Sequence, residues 1–171
     1  SPSPHSFYFM DYLYMIFFYS CDCLRVYPSH VRWRQHYVPV GTVYVAANVR
    51  MHGYDVSFFD IMFSHSAADV LPAVEQKQPD FFVIYDDGFN YLTKMCLTNM
   101  RQAAFDMCKL AKKQGCTVIV SSSDSTDRYQ EYLTEGADFV IIGEAEQTLL
   151  ELTNAFKNST QDLSQVLGLA Y

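Results

Sequence analysis

Apolar positions along the chain fall into two alternating patterns. Short, continuously apolar runs occur at Leu13–Phe18, Val56–Phe59, Phe81–Tyr85, Val118–Val120 and Phe139–Ile142. Runs of this length without alternation suit strands covered on both faces, as in a parallel sheet. Between them lie segments with helical spacing. Val40, Val43, Tyr44, Ala47 and Met51 fall at i, i+3, i+4, i+7 and i+11, an apolar stripe of the kind that faces a core. Pro39-Val-Gly41 opens this helix and His52-Gly53 stops it. The second helix is Ser66–Gln78, where Pro72 is tolerable only in the first turn. The third, Leu92–Lys113, puts Leu97, Met100, Ala104, Met107 and Ala111 on one face and ends at Gln114-Gly115. A shorter polar helix, Asp127–Glu135, closes on Gly136, and a fifth follows Gly143 with Leu149, Leu152 or Thr153, and Phe156 inward.

Strand and helix thus alternate five times. Alternation of this kind predicts a parallel sheet with helices on both faces and right-handed connections. At 171 residues the chain is one domain by length and can bury one sizeable core. The expected layout is a leader at 1–12, disordered or vector-derived, then the α/β domain at 13–158. Residues 159–171 then form a linker towards a further domain, because the polar tail turns abruptly apolar at Val166-Leu-Gly-Leu-Ala.

In an open parallel sheet the strand carboxyl ends share a crevice where ligands bind. Two corners would stand side by side above it: Ser121-Ser122-Ser123 after the fourth strand and Gly143-Glu144 after the fifth. Asp86-Asp87-Gly88 forms the loop after the third strand. Between the first strand and Pro39 runs a long connection, Tyr19–Pro39, around Trp33; connections this long are commonly functional or mobile.

Charge and composition narrow the partners. Nineteen acidic residues against twelve basic ones give a net charge of −7, the wrong sign for gripping a phosphate backbone, so no nucleic-acid partner is expected. No membrane partner is expected either. The most apolar stretch, Phe7–Tyr19, contains Asp11 and is too short for a span of roughly 20 residues, and it lacks the plan of a signal peptide. Cys21, Cys23, Cys96, Cys108 and Cys116 are scattered and odd in number, which fits free thiols in a reducing cytoplasm.

Other chemistries can be weighed against these residues. Cys21-x-Cys23 with His30 and His36 offers zinc-type ligands, but one intervening residue is tighter than the usual two to four; partly buried loop residues are the alternative. Asp22, Asp86 and Ser121 resemble the acids and hydroxyl of a phospho-receiver domain, yet Gly143-Glu144 stands where that arrangement needs a lysine. A dinucleotide site needs Gly-x-Gly-x-x-Gly in the first turn, and no glycine precedes Gly41. Met95, Met100 and Met107 belong to a helix core. Arg25, Arg32, Trp33, Arg34 and His36 suit either an anionic or aromatic ligand or a domain interface. Glu144 and Glu146 sit in the first turn of a helix, where acids favour the dipole.

Taken in order, Pro39-Val-Gly41-Thr-Val-Tyr-Val-Ala-Ala47, Gly53-Tyr-Asp-Val with Asp60, Pro79-Asp80, Gly143-Glu144-Ala-Glu146-Gln-Thr148-Leu and Gly168-Leu-Ala-Tyr resemble a known family. It is the cobalamin-binding domain found ahead of the catalytic barrel in radical S-adenosylmethionine enzymes. The resemblance covers roughly Leu13–Tyr171. It implies a three-layer Rossmann-like, flavodoxin-like α/β fold with a five-stranded parallel sheet, holding the corrin ring at the carboxyl edge with the nucleotide tail running into the domain. The positions it marks as cofactor-binding are Gly41, Tyr44, Asp86, Asp87, Ser121, Ser122, Ser123, Gly143, Glu144 and Thr148. Three departures stand out. The chain lacks an Asp-x-His-x-x-Gly motif for a lower axial histidine. Ser121-Ser122 replaces a usual Gly-Gly pair, and Tyr85-Asp86-Asp87 replaces small hydroxyl residues, bringing carboxylates toward a phosphate-bearing tail. Nor is there a Cys-x-x-x-Cys-x-x-Cys run to hold a [4Fe–4S] cluster. S-adenosylmethionine and the cluster would therefore belong to a barrel elsewhere in the same parent chain. The alternative is a degenerate docking module that keeps the fold without binding cobalamin.

Overall fold

The computed structural model describes residues 14–19, 39–60, 64, 66–85, 97–158 and 162–171. The leader at 1–12, the Cys21, Cys23, His30 and His36 set, the Arg25–His36 cluster, Asp86, Asp87, Met95 and Cys96 lie outside the described residues.

The strands and helices, in chain order, are β1 (Tyr14–Tyr19), α1 (Val40–Met51), β2 (Asp55–Asp60), a 3₁₀ turn at Ala67–Val70 leading into α2 (Leu71–Lys77), β3 (Phe81–Tyr85), α3 (Leu97–Lys113), β4 (Thr117–Ser121), α4 (Ser123–Asp127), α5 (Tyr129–Thr134), β5 (Phe139–Ile141), α6 (Ala145–Lys157) and β6 (Leu169–Ala170). They form one sheet in the order β2-β1-β3-β4-β5-β6. Four parallel ladders join β2, β1, β3, β4 and β5, and β6 adds an antiparallel edge to β5. The order reverses between β1 and β3, which is the switch point where doubly wound sheets open a crevice.

Period-two alternation divides the core. Phe82, Ile84, Val118, Val120 and Val140 point to one face, where Val74, Ala104, Met107, Cys108 and Tyr132 from α2, α3 and α5 cover them. Phe81, Val83, Ile119, Phe139 and Ile141 point to the other, against Val45, Ala46 and Val49 of α1 and Ala145, Leu149 and Leu152 of α6. Three layers result. Each fully buried large side chain, such as Phe82 or Leu149, contributes about 1.5–3 kcal/mol by leaving water.

Local sequence explains the helix ends. Ser66 and Asp69 form a reciprocal capping box that starts the 3₁₀ turn, and Pro72 sits in the first turn of α2, where its missing N–H costs nothing. Gln78 ends α2 in the left-handed region, with φ 45°.

Three expectations need correction. In α1, Thr42, Val45, Ala46 and Val49 are buried, while Val40, Val43, Tyr44 and Met51 are exposed. This helix is apolar around most of its circumference, and the stripe of smaller side chains is the one that packs on the sheet. Secondly, the polar helix expected at Asp127–Glu135 is two short helices that meet at Arg128, because Ser122 starts the first of them four residues early. Thirdly, the five-stranded parallel sheet gains β6: the tail read as a linker returns to the sheet, with Leu169 opposite Ile141 and Ala170 opposite Val140.

Candidate functional site

The ends of β3 and β4 are level, with Tyr85 opposite Ser121, and Ser121 is in turn level with Ile141. The turns after β4 and β5 therefore leave the carboxyl edge side by side. The Gly143 N–H donates to Thr126 Oγ1 at 3.4 Å and links the two turns. The expected convergence of the Ser121–Ser123 and Gly143-Glu144 corners is observed; Asp86 and Asp87, the third member, lie outside the described residues.

The turn after β4 is built from its own hydroxyls. The Ser125 N–H donates to Ser122 Oγ at 2.8 Å, and the Ser122 N–H donates to Ser125 Oγ at 2.9 Å. This reciprocal cap satisfies two groups at the start of α4. Thr126 Oγ1 adds a bond to the Ser122 carbonyl at 3.0 Å. Ser121 is buried and Ser123 is exposed.

Directly beneath lies a cluster that sequence reasoning missed. The Asp124 side chain, only 6% exposed, receives two hydrogen bonds from Arg101: Nε to Oδ2 at 2.7 Å and Nη2 to Oδ1 at 2.6 Å. Tyr132 Oη donates to Asp124 Oδ2 at 2.9 Å. Burial pushes the Asp124 carboxyl up, but the Arg101 and Tyr132 hydrogen bonds outweigh it and hold the group below the usual carboxylate range. Burial and the Asp124 charge push the Tyr132 phenol above its ordinary value, and the bond to Asp124 raises Arg101. A small cavity of about 20 Å³ beside them is lined by Ile84, Met100, Arg101, Ser122, Asp124 and Tyr132, room for about one water. The partners are 23 residues apart, so no local pattern reveals the pair. The available signal was Ser122-x-x-Ser125, a hydroxyl cap placing Asp124 in a first turn.

The turn after β5 is bare by contrast. Gly143 has φ +88° and nothing within 4 Å of where a Cβ would stand. Glu144 is exposed and occupies the N-cap position of α6 without a side-chain cap bond. Thr148 is engaged within the protein, where its Oγ1 donates to the Leu167 carbonyl at 3.0 Å. The Ile142 N–H likewise donates to the Gly168 carbonyl at 2.7 Å.

Across the edge, α1 begins at Pro39 without a side-chain cap and with no acid in its first turn. Gly41 is half-buried and Tyr44 is 63% exposed, on the outward side of the helix. Thr42 is fully buried, and among the described residues its Oγ1 has no hydrogen-bond partner. At the opposite, amino edge, a groove of about 550 Å³ is lined by Gln78, Asp80, Phe81, Gln114, Thr117 and Phe156, away from these turns.

Residues 32–153, the greater part of the chain, match the family described as the B12 binding domain. The chain belongs to the B12-binding domain family. The fold of this B12-binding domain is also similar to solved structures of OxsB, a cobalamin-dependent S-adenosylmethionine radical enzyme. With aqua-cobalamin and S-adenosylmethionine bound the TM-score is 0.64, and with aqua-cobalamin alone it is 0.65; identity is 15% in both. Each match covers 93% of this chain but only 20% of OxsB, so the chain spans about a fifth of that enzyme. No curated protein matches the chain by sequence.

Cobalamin carries amide side chains and a phosphate, so its site calls for hydrogen-bonding groups and open backbone. The orphaned Thr42 hydroxyl and the unobstructed Gly143 backbone fit that demand. Among the described residues, no group of three or more His, Cys, Asp or Glu side chains could hold a metal ion, and no helix is long and apolar enough to cross a membrane.

Proposed function

We propose that this B12-binding domain holds a corrinoid over the carboxyl edge of its sheet, as the cofactor-carrying part of a larger cobalamin-dependent radical S-adenosylmethionine enzyme. The observation that carries the reading is the family match across 32–153, on a chain whose β4 and β5 turns meet at one rim. Ser121, Ser123, Gly143 and Glu144 form the described part of that rim, with Gly41 at the start of α1 across from it; Tyr44, Asp86 and Asp87 join the same assignment. When bound, a corrinoid supplies a cobalt centre able to relay a methyl group or tune a radical step. The domain's own part is to grip the amide periphery and leave the ring facing outward. S-adenosylmethionine and a [4Fe–4S] cluster would be contributed by a barrel of the parent chain, in the cytoplasm.

Purified chain titrated with hydroxocobalamin tests this. A visible-region spectral shift, co-elution on gel filtration and a Kd on the order of micromolar are the expected results. Absence of retention at about a hundred times that concentration overturns the reading.

A second reading, a docking module that has lost the cofactor, has its own support. Two of the hydroxyls assigned to the ligand are engaged within the protein, Ser122 in the α4 cap and Thr148 on Leu167, and the ion pair of Arg101 with Asp124 fills the space beneath the β4 turn.

A further inference from the structure

The bare turn after β5 is held from outside. Its N-cap residue supplies no side-chain bond, so its shape depends on bonds from other segments. Two of these are long. Thr126 Oγ1 accepts from the Gly143 N–H at 3.4 Å, and Asn48 Nδ2 donates to the Glu146 carbonyl at 3.3 Å. The two shorter ones both come from the returning tail. The Gly168 carbonyl accepts from the Ile142 N–H at 2.7 Å, immediately before Gly143. The Leu167 carbonyl accepts from Thr148 Oγ1 at 3.0 Å, one turn into α6. Adjacent tail residues thus clamp the turn at its entry and at its exit.

Gly168 is what lets the tail come that near. Its backbone is left-handed, with φ +72°, and a Cβ there would stand 2.9 Å from the Ile142 carbonyl oxygen and 3.6 Å from Thr148 Oγ1. The first of these neighbours is backbone, which cannot swing aside as a flexible side chain can. A side chain at that φ is strained in any case. Packing presses the tail home: Val166 and Leu169 lie against the core layer under α1 and α6, and the Tyr171 ring centroid sits 5.8 Å from that of Phe139. β6 itself is only two residues long, so its ladder to β5 adds little hold.

We propose that residues 166–171 are a strap that fixes the β5 turn for the corrinoid, with Gly168 as its positioning residue. This rests on the corrinoid reading above. Loosening the strap leaves the sheet intact but frees the Gly143 backbone from the place where a ring meets it, so the domain loses affinity before it loses its fold.

The test follows Gly168→Ala, Leu169→Ala and Gly115→Ala in the purified chain by amide hydrogen exchange, thermal melting and hydroxocobalamin titration. Gly115 also has a left-handed backbone, φ +85° with open space around it, but it lies between α3 and β4 at the amino edge. Its substitution carries the strain without touching the strap. Gly168→Ala is expected to speed exchange of the amides of residues 142–146 at least about tenfold, with those of Val118, Ile119 and Val120 unchanged. It is also expected to weaken hydroxocobalamin binding at least about tenfold. Leu169→Ala removes packing without a backbone clash and is expected to shift both readouts the same way, by about threefold; it decides the matter should Gly168→Ala fail to fold. Gly115→Ala is expected to lower the melting temperature by about 2–4 °C and to leave the affinity at the wild-type value. The strap is overturned if its variants bind as the wild type does, if the 142–146 amides keep their wild-type exchange, or if Gly115→Ala weakens binding as much as they do. If the wild type binds no corrinoid while Gly168→Ala still frees those amides, the corrinoid reading has failed and the clamp on the turn stands.

Discussion

The two turns that leave the carboxyl edge side by side are made on opposite plans. After β4, Ser122 and Ser125 cap each other, and Asp124 reaches inward to Arg101 and Tyr132, so the side chains of that turn mostly satisfy one another. After β5, Gly143 holds a left-handed backbone with no neighbour close to its missing side chain, and Glu144 caps nothing with its side chain. The first turn is anchored and the second is left open. In a ligand-binding edge the anchored turn sets the height of the rim, and the open one is where a large planar group can come close. Substitutions should therefore separate: changes after β4 act on stability, and changes after β5 act on binding.

The largest effect is expected from Asp124→Ala. It strands the Arg101 guanidinium, whose side chain is only 16% exposed, and removes the acceptor of Tyr132. Breaking such a buried pair costs about 3 kcal/mol or more, which urea unfolding followed by circular dichroism would measure. A loss below about 1 kcal/mol would mean that the turn is not anchored there.

The pH profile gives the next-largest effect. Because the Asp124 pKa in the folded state lies below its ordinary value, its contribution is present above about pH 4 and disappears as pH falls through the folded value. The Tyr132 pKa is raised, so its contribution is present below about pH 10 and disappears as pH rises through the folded value. Stability should hold between these limits and fall outside them. Asp124→Asn should flatten the acid limb and Tyr132→Phe the alkaline one, in melting curves taken from pH 3 to 11.

Gly143→Ala sharpens the comparison from the other side. A Cβ there meets open space, but φ +88° is unfavourable for any L side chain, at about 1 kcal/mol. Hydroxocobalamin affinity should fall by at least about tenfold, whereas Asp124→Asn should change it far less in any variant that stays folded. Equal losses in the two variants would erase the distinction between the turns. The smallest effect belongs to Ser123→Ala, an exposed first-turn position of α4; within about 0.5 kcal/mol of wild type is expected by thermal melting.

The alternation of β3, β4 and β5 with their helices was legible in the sequence, because strands covered on both faces read as unbroken apolar runs such as Phe81–Tyr85. The corners at Ser121 and Gly143 followed from the same logic. What stayed hidden has physical causes. In α1 two apolar stripes compete, and spacing alone cannot say that Val45, Ala46 and Val49 win over Val43, Tyr44 and Met51. The bond between Arg101 and Asp124 joins α3 to α4 and is invisible to any local window. The bond from Thr148 to the Leu167 carbonyl depends on the returning tail and is equally invisible to a local pattern.

That returning tail also governs the geometry of attachment. β6 runs against β5, so the backbone at Tyr171 is heading down the flank of the sheet, away from the rim. Any unit joined beyond Tyr171 would set out from a point roughly 10 Å below the β5 corner, three strand residues at ~3.4 Å each, and its tether would have to double back before that unit could face the rim.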